Sequence, residues 1–457
     1  MVEAEGTDPV SPKSGARLPD PYTPGHGTAA YRVRRYDLDL DVRLASNRLS
    51  GQARIRAEAR EKLDTVSLSL AGLRVTKVFV DGAKPAKSAQ RGDQLVVTPR
   101  NRIPKGRAFD LEIRYEGSPR PIDGRWGEVG WEELDDGVLV AGQPVGAPTW
   151  FPCNDHPSQK AAFRIAVTAD AGYRVVSNGV LTSRRTRSSR ETWVYDQPEP
   201  MSPYLATVLI GRYRDLELGR LPDRGSGRVR VLAAVPPELR AEAATGLKDQ
   251  VRMVKLFSEL FGPYPFRDYT VVVTEDELEI PLEAQSLSIV GRNHIKRTWE
   301  AQRLLAHELA HQWFGNSVTV RCWADIWLHE GFACYAEWLW SEEAGIAPVK
   351  ERAAAAWKLL ATKPQDLLIG VPGPDHMFDD RVYKRGALAL HAVRRAVGDD
   401  RFFRSLRAFA SEYRHGLAST ADFVEILDRV CAGARKFDAA AVLRPWLYQR
   451  ALPAPPK

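Results

Sequence analysis

The sequence predicts an α+β chain of more than one domain, with an antiparallel β-rich N-terminal part followed by a mainly helical part. Three observations carry this. The first 210 or so residues repeat an apolar–polar alternation of period two, the mark of half-buried strands. Hairpin-turn dipeptides, Asp81-Gly82 and Asn178-Gly179, punctuate that region. From Glu238 onward the apolar spacing becomes helical. A length of 457 residues, at about 150 residues per domain, is consistent with two or three domains.

Residues 1–27 are rich in Pro, Gly and polar residues and are expected to form a flexible leader. The β-domain is expected over 28–220. Its strands are read at Tyr36–Leu44, Ala53–Ala57, Val66–Leu70, Leu95–Val97, Leu111–Tyr115, Phe163–Val167, Thr192–Tyr195 and Leu205–Ile210, forming a sandwich or saddle. The arginine cluster within Thr182–Arg190 is a candidate anion contact, but a solvated hairpin tip is the plainer reading. Gly219–Gly227 reads as a linker. The second domain is expected over 228–450. It opens with a strand (Val229–Val235) and a helix over Glu238–Phe261 that stops at Gly262-Pro263. One strand pair, further helices and a loop over Lys363–Phe378 follow, and Leu452–Lys457 reads as a frayed tail.

Composition excludes several classes. Hydrophobic residues make up 44% and charged residues 27%, ordinary for a globular protein and unlike a disordered or collagen-like chain. The net charge of +7 comes from interleaved acids and bases, not the basic face or tract of a nucleic-acid binder. No run approaches the roughly 20 apolar residues of a membrane span, and the N-terminus has no signal-peptide core. Cys153, Cys322, Cys334 and Cys431 form no CxxC pair and are too sparse for a disulfide scaffold, so a cytoplasmic location is expected.

The chemistry sits in Leu304-Leu-Ala-His307-Glu308-Leu-Ala-His311. On a helix, residues four apart lie on adjacent turns of one face, so His307 and His311 can chelate one Zn²⁺. Glu308, on the same flank, is placed to hold a water at the metal and move its proton. Thr298 is a candidate N-cap and Gly315-Asn316 a stop. HExxH also arises by chance, and a catalytic zinc with one open position needs a third ligand. Glu330, eighteen residues beyond His311 and near the start of a second helix, meets that need. Its apolar flanks, Trp327-Leu328 and Gly331-Phe-Ala333, indicate burial, and a buried glutamate needs a partner or a metal.

This spacing, with Glu330 inside Trp-Leu-His-Glu-Gly-Phe-Ala, resembles the gluzincin aminopeptidases of the aminopeptidase N and leukotriene-epoxide hydrolase type. Phe151-Pro-Cys153, Met201-Ser-Pro-Tyr-Leu205, Phe261-Gly-Pro-Tyr-Pro-Phe266 and Val382-Tyr-Lys-Arg-Gly-Ala387 extend the resemblance over about residues 30–447. It implies an N-terminal β-saddle followed by a thermolysin-like catalytic domain, one zinc per chain held by His307, His311 and Glu330, Glu308 as general base, and Tyr383 as oxyanion stabiliser. It also implies that Glu283, in Ile280-Pro-Leu-Glu-Ala284, holds the substrate's ammonium. That stretch stands where the family has Gly-x-Met-Glu-Asn, and of those named residues only the glutamate is kept. Glu275, Asp276, Glu277 and Glu279 are the neighbouring acids that a shifted register would bring in. Gln143 aligns with a second amine contact, in the form seen in the epoxide-hydrolase branch.

Glu337 is either a second-layer partner of a histidine ligand or a surface residue. His329 stands where asparagine is usual and is read as a solvent-side neighbour without a role. Most relatives carry a further helical C-terminal domain. The sequence ends about 60 residues after the Tyr383 helix, so a more open cleft is expected. The function expected is a zinc aminopeptidase acting on peptides, with neither nucleic acid nor membrane as partner and the oligomeric state left open. The alternatives are a zinc endopeptidase or oligopeptidase and a catalytically weak peptide-binding homologue.

Overall fold

The computed structural model describes residues 20–222, 228–433 and 437–456. These fall into two compact units that divide at residues 252/253, 264/265 and 308/309.

The β-rich unit is built on a seven-stranded sheet. Its spatial order is Val180–Arg187, Arg190–Met201, Ala161–Asp170, Tyr31–Arg43, Arg48–Ala59, Ala108–Gly117, Arg74–Val80. The alternation read in the sequence is the alternation of burial. Val33, Tyr36, Leu38, Leu40 and Val42 are covered, and the residues between them are half-buried or exposed. One pairing departs from the antiparallel expectation: Tyr31–Arg43 runs parallel to Ala161–Asp170, with Tyr36 opposite Phe163. Period two reports which face is buried and carries no information on strand direction. A five-stranded antiparallel sheet follows, in the order Arg174–Ser177, Val208–Gly211, Gly137–Ala141, Gly127–Leu134, Ile122–Gly124.

A second five-stranded sheet is mixed, in the order Arg214–Pro222, Arg228–Val235, Asp268–Thr274, Leu287–Gly291, Leu282–Ala284. The expected linker is therefore partly strand. Arg214–Pro222 pairs antiparallel with Arg228–Val235, and residues 223–227 lie outside the described residues. Leu139, Ala141, Val176 and Leu209 of the antiparallel sheet share one core with Ala234, Val272, Ala284 and Ile289 of the mixed sheet.

The helix expected over 238–261 is broken into Pro237–Leu239, Arg240–Gly246 and Gln250–Phe261. A Cβ at Gly246 would lie 1.8 Å from the Ile295 carbonyl oxygen, and Gln302 Nε2 donates to the Gly246 carbonyl at 3.1 Å. The first piece ends at this close approach, which leaves no room for a side chain.

The helical unit contains Trp327–Glu343, Val349–Ala361, Asp380–Val397, Asp399–Glu412, Thr420–Val430 and Ala439–Leu447. Trp327–Glu343 crosses Asp380–Val397 at two glycines, where a Cβ added to Gly331 would stand 2.8 Å from Gly386 Cα. Only residues without side chains permit this approach, so Gly331→Ala is expected to lower the unfolding free energy by roughly 1–3 kcal/mol, read by urea denaturation.

Both ends of the described chain are more ordered than expected. Of the leader, residues 1–19 lie outside the described residues. Asp20, Tyr22 and Thr23 are buried, and His26 Nδ1 meets Asp155 Oδ2 at 2.7 Å. At the other end Arg385 donates to the carbonyls of Pro445, Gln449, Arg450 and Ala451, and Trp357 Nε1 donates to Pro453 O at 2.7 Å. A guanidinium with its five donors offers enough capacity to pin an irregular segment through its carbonyls. Among the described residues no helix is long and apolar enough to cross a membrane.

Candidate metal centre

The helix Trp299–Ala310 buries Ala301, Leu305, Ala306, Leu309 and Ala310 and begins at Thr298, whose Oγ1 accepts from Ala301 N at 3.4 Å. Its last turn and the residue after it carry His307, Glu308 and His311, exposed by only 7%, 4% and 1%. Beyond the helix Trp313 packs edge-on against Phe257, Phe261 and Tyr264 and donates from Nε1 to Gly262 O at 2.9 Å. The predicted Gly262-Pro263 stop thus anchors the turn that follows His311.

His311 is fixed at one nitrogen and turns the other to Glu330. The Phe314 carbonyl lies 3.1 Å from Nδ1 and can only accept, so Nδ1 carries the proton and Nε2 presents its lone pair. Nε2 lies 3.5 Å from Glu330 Oε2. Two ligand atoms of a tetrahedral zinc with bonds of 2.0–2.3 Å stand about 3.3–3.7 Å apart, so this spacing fits a shared ion. One ligand atom each from His307, His311 and Glu330 lies within 4.8 Å of the others, and all three residues are buried. Two imidazoles and a carboxylate suit zinc, and three protein ligands leave one position open.

Glu330 lies on the first turn of Trp327–Glu343, whose first fifteen residues are buried. Trp327 Nε1 donates to Thr420 Oγ1 at 2.7 Å, and Thr420 Oγ1 donates to Asp325 Oδ1 at 2.6 Å. Burial pushes the Asp325 carboxyl up to about 6, although the Thr420 hydrogen bonds favour its charged form. Phe332 packs against Phe314, Phe409 and Phe423. His329 is not on the solvent side. It is 1% exposed, and its Nε2 accepts from Val320 N at 3.0 Å. Glu337 is buried, which removes the surface-residue alternative.

Glu283 reaches the same place. Its carboxylate, that of Glu308 and a His311 nitrogen lie within 4.8 Å of one another. Glu283 is on the outermost strand of the mixed sheet, opposite Ser288. Ser288 Oγ is 2.9 Å from the hydroxyl of Tyr269, whose pKa is raised chiefly by burial and further by the charge of Glu308. Glu275, Glu277 and Glu279 are exposed in the preceding loop and Asp276 is half-buried. None of the four joins the cluster.

The turn after Glu283 is clamped by Asn178-Gly179, read in the sequence only as a hairpin signal. Asn178 Nδ2 donates to Leu205 O at 2.8 Å and to Gln285 O at 2.9 Å, and Gly179 N donates to Ser286 Oγ at 2.8 Å. Gln143 approaches the neighbouring segment. A Cβ on Gly142 would stand 2.2 Å from Tyr204 O, and Gln143 Nε2 is buried without a hydrogen-bond partner among the described residues. Tyr383 lies in the first turn of Asp380–Val397, capped by Asp379 Oδ1 accepting from Arg381 N at 2.9 Å. It lies three residues before Gly386, and Glu330 is next to Gly331, the two glycines at which their helices cross. None of the four cysteines is in a disulfide, and Cys153, Cys334 and Cys431 are buried.

Two imidazoles, at and just beyond the end of one helix, and a carboxylate on the next form a buried set that could hold a metal ion, with a further carboxylate beside them. Residues 33–205 match the Peptidase M1 N-terminal domain and residues 246–446 the Peptidase family M1 domain. A crystal structure of the M1 zinc metallopeptidase from Deinococcus radiodurans, bound to a Tyr-Ser-Ala substrate, superposes with a TM-score of 0.87 at 30% identity, covering 96% of this chain and 99% of that one. The chain belongs to peptidase family M1. It is also similar to a leucyl aminopeptidase of Saccharolobus solfataricus, 24% identical over 92% of this chain and 54% of the relative. Aminopeptidase M1-D of Oryza sativa is 26% identical over 87% and 48%. The chain thus spans about half the length of the curated relatives it matches.

Proposed function

We propose that the chain is a zinc aminopeptidase that removes N-terminal residues from peptides, with one zinc held by His307, His311 and Glu330. The observation that carries this reading is the Glu283 carboxylate grouped with Glu308 and His311. A fixed carboxylate beside the metal ligands pairs with a free ammonium and sets the first peptide bond at the reacting centre.

When bound, zinc supplies Lewis acidity to the scissile carbonyl and makes a water more acidic. Glu308 takes the proton of the attacking water and returns it to the departing amine. Tyr383 donates its phenol proton in a hydrogen bond to the developing oxyanion. Gln143 accepts a further hydrogen bond from the ammonium. The outermost strand Leu282–Ala284 offers its backbone to an extended substrate. Four cysteines outside any disulfide suit a reducing cytoplasm.

The test is metal removal. Chelation is expected to abolish hydrolysis of amino-acid anilides, and one equivalent of zinc per chain, counted by elemental analysis, to restore it. Full activity in the metal-free protein would overturn the reading.

A further inference from the structure

We propose that Arg385 is a positioning residue for Tyr383, bracing the helical turn that carries the phenol against the segment 445–453. This rests on the role proposed for Tyr383 above.

Arg385 is a charge that the fold buries without an acid. It is 4% exposed, and burial lowers its pKa to about 10, so it stays a cation at neutral pH. The other cations of the same stretch have carboxylates: Arg381 pairs with Asp379 and Asp366, and Lys384 with Asp380. No carboxylate pairs with Arg385 among the described residues. The cavity beside it, between Leu360, Pro364, Arg381 and Leu452, measures about 10 Å³ and has no room for an anion. Its charge is met by backbone carbonyls. Nη1 donates to Arg450 O at 2.9 Å, and Nη2 donates to Pro445 O at 2.9 Å, to Ala451 O at 3.1 Å and to Gln449 O. Pro445 stands in the last turn of Ala439–Leu447, where carbonyls lack helical partners and the helix dipole favours a cation.

These carbonyls belong to a fixed platform. Gly370 N donates to Leu447 O at 2.9 Å, a Cβ on Gly370 would stand 2.4 Å from the Tyr448 ring, and Trp357 Nε1 donates to Pro453 O at 2.7 Å. A guanidinium tied to such a platform holds its own helix in place. Residues two apart on a helix lie about 200° apart around its axis. Arg385 and Tyr383 therefore leave the helix on opposite sides, and Arg385 acts through the backbone of the turn. The next residue, Gly386, meets Gly331 at a spacing that admits no side chain. The turn is thus held between the glycine crossing and the carbonyl platform. An oxyanion donor works only when preorganised, and a misplacement of about 1 Å costs about 100-fold in rate.

The test is a double-mutant cycle on anilide hydrolysis by the zinc-loaded protein. Arg385→Lys keeps the charge and loses the fork. It is expected to lower kcat about tenfold or more, with KM and zinc content unchanged. In the Tyr383→Phe background the same substitution is expected to lower kcat no further. Trp357 is half-buried, and Trp357→Phe, which releases Pro453, is expected to show the same pattern with a smaller fall. Thermal unfolding checks each variant, and if Arg385→Lys does not fold, Trp357→Phe decides by the same comparison. An equal loss in both backgrounds, or no loss in either while Tyr383→Phe alone is impaired, would overturn the proposal and leave the role of Tyr383 standing. Full activity of Tyr383→Phe would overturn both.

Discussion

Glu308→Gln is expected to lower kcat by about 10³–10⁴-fold while the protein keeps its zinc. The substitution preserves shape and one acceptor oxygen but removes the ability to take a proton. Glu308 is 4% exposed, and Tyr269 nearby is a phenol held neutral by burial, so it does not replace the lost base; Glu283, the other carboxylate of the cluster, is assigned to the amine. Zinc content separates this role from ligation. His311→Ala removes a ligand and is expected to lose the ion along with activity, whereas Glu308→Gln is expected to retain about one equivalent. Loss of zinc in Glu308→Gln would instead make Glu308 a ligand.

Glu283→Ala has a narrower expected signature. Removing one partner of a desolvated ion pair costs about 2–5 kcal/mol, so kcat/KM for peptides with a free amine is expected to fall by roughly 30-fold or more. Any slow hydrolysis of N-acetylated peptides should be untouched, because an acetylated amine brings no charge to pair. An equal fall for both substrates would mean that Glu283 supports the fold of its strand and not the amine. Its position invites that check, since the clamp of Asn178 on Leu205 and Gln285 holds the same turn.

The buried grouping of His307, His311 and Glu330 was legible because residues four apart on a helix share a face, which is a local property, and because Glu330 is an acid among apolar neighbours. The alternation in 36–70 was legible for the same local reason. What the sequence hid depends on approaches between distant segments. Parallel pairing of Tyr31–Arg43 with Ala161–Asp170 joins strands more than a hundred residues apart. The break after Gly246 falls where the Ile295 carbonyl leaves no room for a side chain, and no hairpin forms at Asn178-Gly179, whose flanking strands lie in different sheets while Asn178 donates to Gln285. His329 reads as an exposed polar residue until Val320 N is found at its Nε2. The role proposed for Glu283 rests on resemblance and on its place in the cluster, since Ile280-Pro281-Leu282 before it and Ala284 after it carry no local mark of an amine site.

The central claim is that Glu283 makes this metal centre an exopeptidase. Its most direct test compares one unblocked peptide with its N-acetylated twin, following the products of the purified, zinc-loaded protein by mass spectrometry. Stepwise loss of N-terminal residues from the free peptide alone is the predicted result. Internal cleavage of both peptides would contradict it and assign the centre to an endopeptidase.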